Sequence, residues 1–253
     1  MSHSLHRSGP ASRLHDDWIV LAMSAKDVNK DGSGAKLRRF LEIALRHGPV
    51  NWGDIRQGSR FSRRTEDLLD GIRDESVVHA VFTDENAVSS FLDELRRADL
   101  GVSVIVSGLI DNIEQAADRA GLEPHTTARS LGVWGRTERL PSPEILEVTT
   151  MCGHGLVAAN LVRTVMERVR EGSLAPEEGA EILARPCVCG IFNPSRAAKC
   201  LSRTAAAGRS GPEVEDLPRR SGEGRLSLDP DEARLPPGQS HDALDPGAAS
   251  DPL

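Results

Sequence analysis

The stretch VVHAVFTDENAVSSFLDELRRADLGVSVIV (residues 77–106) decides the fold. It opens with an apolar run, Val77 to Phe82, of the length of one buried strand. Thr83 or Asp84 can cap a helix whose apolar positions 88, 91, 92 and 95 share one face. A second apolar run, Val102 to Val106, follows. The order strand, helix, strand predicts a β-α-β unit.

The same alternation extends on both sides of this stretch. Trp18 to Met23 (WIVLAM) predicts a strand, and an apolar stripe ending near Gly48-Pro49 predicts the helix after it. Leu109 to Ala120 predicts a helix that Gly121 ends. Two further strands are expected at residues 126–134 and 145–150. Together these elements predict an α/β fold whose mixed or parallel sheet has about five strands.

The chain changes character after Thr150. Helices alone are expected there, over residues 156–170, 176–183 and 194–201. We therefore predict an α/β domain over residues 14–150 and a helical, cysteine-containing subdomain over residues 151–202, folded over one edge of the sheet. Residues 1–13 and 203–253 lack the apolar side chains that offset ordering entropy, so both segments are expected to be disordered.

Composition restricts the partners. Aromatic residues make up 3% of the chain, tyrosine is missing, and the net charge is -7, so nucleic acid is not an expected partner. The sequence has no run of 18 apolar residues and no signal peptide at its start, which predicts a cytoplasmic protein without a membrane partner. A small-molecule substrate fits this composition, and the oligomeric state stays open.

Four cysteines concentrate in the helical segment: Cys152, Cys187, Cys189 and Cys200. Clustered thiols in a cytosolic chain favour metal binding or catalysis over disulfides. Cys152 lies in MCGHG, expected after a strand and before a helix, and the C-x-C pair lies in PCVCG, expected before another helix. We therefore expect glycine-containing turns at helix N-termini, where the helix dipole favours a thiolate.

Such thiolates can hold an iron–sulfur cluster, and this is the favoured cofactor. With Cys152, Cys187 and Cys189 as ligands, one iron stays open for a small carboxylate substrate, as in a lyase; with Cys200 as a fourth ligand, electron transfer or a structural role is expected. Zinc held by Cys152, His154, Cys187 and Cys189 is the alternative. Cys152 and His154 are the candidate catalytic residues, and Cys200 is either a ligand or a buried thiol.

The string MCGHG resembles the segment around a catalytic cysteine in the proline racemase family, over five residues. The resemblance implies that Cys152 removes a substrate α-proton and that Cys187 or Cys189 delivers a proton to the opposite face. A metal-free racemase, epimerase or lyase is thus a second hypothesis. The longer pattern MCGHG…CVCGIFNP is similar to iron–sulfur protein segments in general. A structural zinc or interaction protein is the third hypothesis.

A second candidate site is the polar loop after the first strand, residues 24–34. Lys26, Lys30 and Ser33, with the backbone N–H groups of Gly32 and Gly34, have the chemistry to hold a carboxylate or phosphate. Ligands of open α/β sheets bind at the carboxyl ends of strands, where this loop is expected. The alternative is a solvated turn.

Overall fold

The computed structural model describes residues 7–130 and 132–207, so the disorder expected for residues 1–6 and 208–253 lies outside it. The described residues form five strands: β1 (Trp18–Met23), β2 (Asn51–Asp54), β3 (Gly58–Ser59), β4 (Val77–Phe82) and β5 (Ser103–Ser107). They also form nine α-helices: α1 (Ala11–Leu14), α2 (Ser33–Arg46), α3 (Thr65–Gly71), α4 (Glu85–Ala98), α5 (Ile110–Arg119), α6 (Pro143–Thr149), α7 (Ala159–Arg170), α8 (Pro176–Ala184) and α9 (Pro194–Ala207).

The five strands form one antiparallel sheet in the order β3-β2-β4-β1-β5. The prediction of a mixed or parallel sheet is therefore wrong, and the reason is topological. β1 and β2, joined through α2, run parallel to each other, but β4 lies between them. β4 and β5, joined through α4, are likewise separated by β1. Two β-α-β units interleave, so every pair of hydrogen-bonded neighbours is antiparallel.

Helices α2 and α4 cover one face of the sheet. Phe40 from α2 and Phe91 from α4 meet edge to face, with ring centroids 5.3 Å apart, and Phe82 from β4 lies 5.2 Å from Phe91. The Asp84 carboxylate caps α4 by accepting the backbone N–H groups of residues 86 and 87. Strand β4, helix α4 and strand β5 are the strand, helix and strand predicted from residues 77–106.

Helices α6 to α9 cover the other face rather than an edge. Ile19 from β1 and Val81 from β4 point into an apolar cluster that includes Leu183 and Phe192. Residues 145–149 lie in α6, so the strand predicted at 145–150 is wrong: Pro143 occupies the first turn, and the apolar residues at 145 and 148 have helical spacing. Residues 126–130 and 132–134, also predicted as a strand, are irregular and exposed.

The N-terminal residues that the structure describes are ordered, against expectation. Helix α1 occupies residues 11–14, and the backbone N–H of Ser8 donates to the Thr150 hydroxyl at 2.9 Å. The last helix extends to Ala207, beyond the predicted boundary at residue 202. In the described part of the chain, no helix combines the length and the apolar character that crossing a membrane requires.

Candidate functional site

Both cysteine-bearing loops leave the ends of helices. The backbone N–H of Cys152 donates to Thr149 O at 3.2 Å as α6 ends, and α7 begins only at Ala159. The backbone N–H of Cys187 donates to Ala184 O at 3.0 Å as α8 ends. The expectation that Cys152 follows a strand, and that both groups occupy helix N-termini, is therefore wrong. At a helix C-terminus the dipole disfavours a thiolate, so any thiolate here needs another source of stabilisation.

These two loops bring three of the four thiols together. Cys187 Sγ lies 3.8 Å from Cys189 Sγ, and the Cys152 thiol is hydrogen-bonded to Cys187. All three side chains are buried. His154, an exposed residue of the first loop, places Nδ1 3.6 Å from Cys189 Sγ. Three sulfurs and one imidazole nitrogen thus lie side by side.

The three thiols differ in acidity because they form a chain of hydrogen bonds. The hydrogen bond to Cys187, together with burial, raises the pKa of Cys152. The Cys152 thiol lowers the pKa of Cys187, but the hydrogen bond to Cys189 and burial outweigh that effect and raise it to about 11. The hydrogen bond from Cys187 lowers the pKa of Cys189 despite its burial. Cys189 is therefore the most acidic of the three thiols.

Backbone N–H groups also point at the sulfurs. Those of Leu156 and His154 donate to Cys152, that of Phe192 donates to Cys187, and that of Ile191 donates to Cys189. Each of these hydrogen bonds favours the ionised sulfur and acts to lower its pKa. The loops are thus shaped to hold sulfur that carries negative charge.

The C-x-C loop lies directly on the backbone of β2, and two glycines permit this approach. Gly190 has φ +82°, and a Cβ built there would lie 2.7 Å from the carbonyl carbon and oxygen of Trp52. A Cβ on Gly53 would lie 2.8 Å from Cys189 O. Only residues without a side chain fit at both positions, so the glycines fix the height of the two thiols above the sheet.

A buried ionic cluster lies beside the thiols. Asp17, just before β1, accepts a hydrogen bond of 2.7 Å from Arg196 Nη1 of α9, and Arg7 Nη1 lies 3.2 Å from the same carboxylate oxygen. All three side chains are at least nine-tenths buried. Burial lowers the pKa of Arg7, and the charges of Asp17, Cys187 and Cys189 oppose that shift. Two cations facing one carboxylate leave an excess positive charge next to the thiols.

Asparagines complete the attachment of this region to the sheet. Asn193 Nδ2 donates to Asp17 Oδ1 at 3.0 Å, and Asn51 Nδ2 of β2 donates to Phe192 O at 2.8 Å. Sequence reasoning missed Arg7, Asp17 and Arg196. Arg7 precedes a stretch without an apolar pattern, and no local signal shows that residues about 180 positions apart form an ion pair.

Cys200 has a different environment from the other thiols. Its Sγ lies 3.5 Å from Glu147 Oε2 and 3.1 Å from Arg203 Nη2, inside the layer of helices. Burial raises its pKa. Glu147 also pairs with Arg13 at 2.6 Å and with Arg203 at 3.0 Å. Cys200 is therefore part of a helix-packing contact, and its predicted ligand role gains no support from this placement.

The predicted anion loop at residues 24–34 is filled by the chain itself. The Asp74 carboxylate accepts the N–H of Gly34 at 2.7 Å and the N–H of Gly32 at 3.0 Å, and these hydrogen bonds lower the pKa of Asp74. Ser33 Oγ accepts the N–H of Glu75 at 3.3 Å, and Lys30 pairs with the Glu75 carboxylate at 3.8 Å. The loop thus binds an anion, but that anion is the Asp74 carboxylate of the chain itself. Lys26, predicted as a further member of this site, precedes these contacts in the same loop and is exposed.

The loop and the thiols belong to different helical layers. The loop leads into α2, which packs on one face of the sheet, whereas the three thiols belong to the apolar cluster on the face that α6 to α9 cover. The two sites predicted from the sequence are therefore not parts of one pocket.

Across residues 7–130 and 132–207, no group of three or more His, Cys, Asp or Glu side chains is arranged, as it stands, so that it could hold a metal ion. Comparisons with protein-family models, with curated proteins and with solved structures found no match. The class of this protein is thus defined by its own features: an α/β protein with interleaved β-α-β units and a buried group of three thiols.

Proposed function

We propose that this chain is a metal-binding protein whose centre is held by Cys152, Cys187 and Cys189 with His154. The observation that carries the proposal is the meeting of three buried thiols and one imidazole, with Sγ–Sγ and Sγ–Nδ1 distances of 3.8 and 3.6 Å. The thiols hydrogen-bond to each other. Metal binding therefore requires loss of their protons and side-chain rotation toward a common point.

The close approach of these side chains favours a single ion over a [4Fe–4S] cluster, because it leaves only a small rotation to bring them to one point. Two sulfurs at 2.3 Å from one tetrahedral zinc ion lie roughly 3.8 Å apart, and a sulfur and an imidazole nitrogen lie roughly 3.6 Å apart. In a [4Fe–4S] cluster each cysteine binds a different iron atom, so the cysteine sulfurs lie farther apart than two ligands of one ion. Zinc is therefore the proposed ion, and an iron–sulfur cluster remains the alternative, which metal and sulfide analysis distinguishes.

Charge supports the same ligand set. Zinc with three thiolates and a neutral imidazole carries one negative charge. The neighbouring cluster of Arg7, Arg196 and Asp17 carries one excess positive charge in a buried setting. Buried charges are stable when paired, so the centre and the cluster would neutralise each other. Backbone N–H groups directed at the sulfurs stabilise the thiolates in the same way.

The proposed centre ties the α6–α7 loop and the α8–α9 loop to each other above β2. The imidazole of His154 is its exposed ligand, so that position is where a small carboxylate from solvent could exchange. The metal-free racemase hypothesis needs a substrate carbon between Cys152 and a partner thiol. Cys152 and Cys187 hydrogen-bond to each other, so their side chains would first have to separate. All four cysteines are free, which fits a reducing, cytoplasmic location.

Metal analysis of the full chain, purified anaerobically, tests the proposal. We expect one equivalent of zinc per chain in the wild type and loss of that zinc in Cys189→Ser. Cys200→Ser is the matched control, because it removes a buried thiol that lies with Glu147 and Arg203 instead. It should keep the full equivalent.

Two outcomes contradict the proposal. Iron and acid-labile sulfide in place of zinc would establish a cluster at the same cysteines. A chain free of zinc and iron, with activity lost in Cys152→Ser at unchanged stability, would favour the metal-free thiol base.

A further inference from the structure

A shallow, wide-open cavity of about 600 Å³ lies at the β3 edge of the sheet. Its wall consists of residues 60–65, the segment that leaves β3, together with Trp52 of β2. Three of these residues are arginines, and two carry aromatic rings. The cavity is therefore basic, whereas the chain as a whole has a net charge of -7.

Arg60 is held in place by aromatic rings. Its guanidinium carbon lies 5.2 Å from the centre of the Trp52 ring and 4.7 Å from the centre of the Phe61 ring. One nitrogen, Nη1, donates to Val50 O at 2.9 Å. Within the described residues, its other N–H groups make no hydrogen bond. The guanidinium is thus held by stacking on two rings and by one hydrogen bond, while its other N–H groups remain available to a ligand.

The other two arginines differ from each other. Arg64 forms a two-point ion pair with Asp67, with distances of 2.8 and 3.0 Å. Arg63 forms no ion pair in the part of the chain that the structure describes. Arg60 and Arg63 therefore provide two guanidinium groups on one wall of the cavity that form no ion pair within the described residues, although the charge of Arg63 helps to lower the pKa of Asp67.

We propose that this cavity binds the phosphate group of a small molecule through Arg60 and Arg63. Guanidinium groups match phosphate oxygens with paired N–H donors, and two unpaired guanidiniums match a dianion. The Thr65 hydroxyl on the same wall is a further donor. The side chain of Trp52 lines the cavity, while its backbone contacts Gly190 of the C-x-C loop. One residue thus contacts both the phosphate site and the thiol-bearing loop.

Titration of the full chain with inorganic pyrophosphate at low ionic strength tests this site. We expect saturable binding by calorimetry and a change in tryptophan fluorescence that disappears in Trp52→Phe. Arg63→Gln should weaken binding at least about tenfold, the loss expected for a charged donor, and should not affect folding because Arg63 is exposed. Metal content is not expected to change, so the test is independent of the proposed centre.

The matched control is Arg97→Gln, which removes an exposed arginine on α4 that pairs with Asp93. It should bind pyrophosphate as the wild type does. An equal loss in the two variants would show a general effect of charge and overturn the site. Absence of saturable binding by the wild type, or citrate binding more tightly than pyrophosphate, would also overturn the proposal of a phosphate ligand.

Discussion

The two faces of the sheet carry helical layers that are attached by different interactions. The layer of α2 and α4 packs through apolar side chains alone at its centre, such as Leu37, Phe40 and Phe91. The layer of α6 to α9 also has an apolar centre, but its loops are fixed to the sheet by buried ions, amide hydrogen bonds and two close glycine contacts. Apolar packing tolerates substitution by degrees, whereas a buried charge without its partner costs several kcal/mol at once.

The largest effect is expected from Asp17→Ala, which leaves Arg7 and Arg196 buried without a carboxylate. We expect the free energy of unfolding to fall by about 3–5 kcal/mol, the cost of an uncompensated buried charge. Urea denaturation of the full chain measures it.

The control for that change is the adjacent carboxylate. Asp16 pairs with Lys199 at the surface, so Asp16→Ala should lower the free energy of unfolding by about 1 kcal/mol or less. Equal costs for the two substitutions would contradict the idea that the second layer is attached by buried charge.

An intermediate effect is expected where the C-x-C loop meets β2. Gly190→Ala places a methyl group 2.7 Å from the Trp52 backbone, in addition to the strain of a positive φ. Gly172→Ala has the same strain, at φ +74°, but no atom within 4 Å. We expect Gly172→Ala to lower the free energy of unfolding by about 1–2 kcal/mol, and Gly190→Ala to lower it by about 1–3 kcal/mol more. Only Gly190→Ala should also reduce the metal content.

If both glycine variants lose the same free energy of unfolding and keep their metal, the close approach of loop and strand does not matter. Thermal and urea denaturation, with metal analysis of the same samples, separate the two results.

The smallest effect is expected from removing charge beside the thiols. Arg7→Met should weaken zinc binding by about 10–100-fold, the usual loss when a group that supports metal ligands is removed. Arg13→Met, which removes the ion pair with Glu147, is the control and should bind zinc normally. Competition with a chromophoric chelator gives both affinities. Unchanged affinity in Arg7→Met would remove the electrostatic argument for the centre.

The first layer could be predicted from the sequence because its signals are local. Strands β1 and β4 have the predicted bounds, and Asp84 caps α4 as its position before the apolar stripe indicates. Strands β2 and β3 were missed since NWGD and the pair Gly58–Ser59 have no apolar alternation. Their pairing with β4 and with each other makes them strands, and such pairing is a property of the whole fold.

The second layer could be predicted only in part. The sequence indicated a cysteine-rich site in two glycine turns, and the structure brings Cys152, Cys187 and Cys189 together. It predicted the helix before the C-x-C turn, but it gave no sign that the Cys152 turn also follows a helix C-terminus, because the β-branched residues of 145–150 favour a strand. Nor did it show that Arg7 supplies charge to the site, since that contact spans almost the whole described chain.

X-ray absorption at the zinc edge, on the full chain purified anaerobically, tests the central claim most directly. The account predicts one zinc per chain with three sulfur neighbours at about 2.3 Å and one nitrogen neighbour at about 2.0–2.1 Å. In His154→Ala the nitrogen should be replaced by an oxygen from solvent, while the three sulfurs stay. A protein with four reactive thiols and neither zinc nor iron would contradict the account.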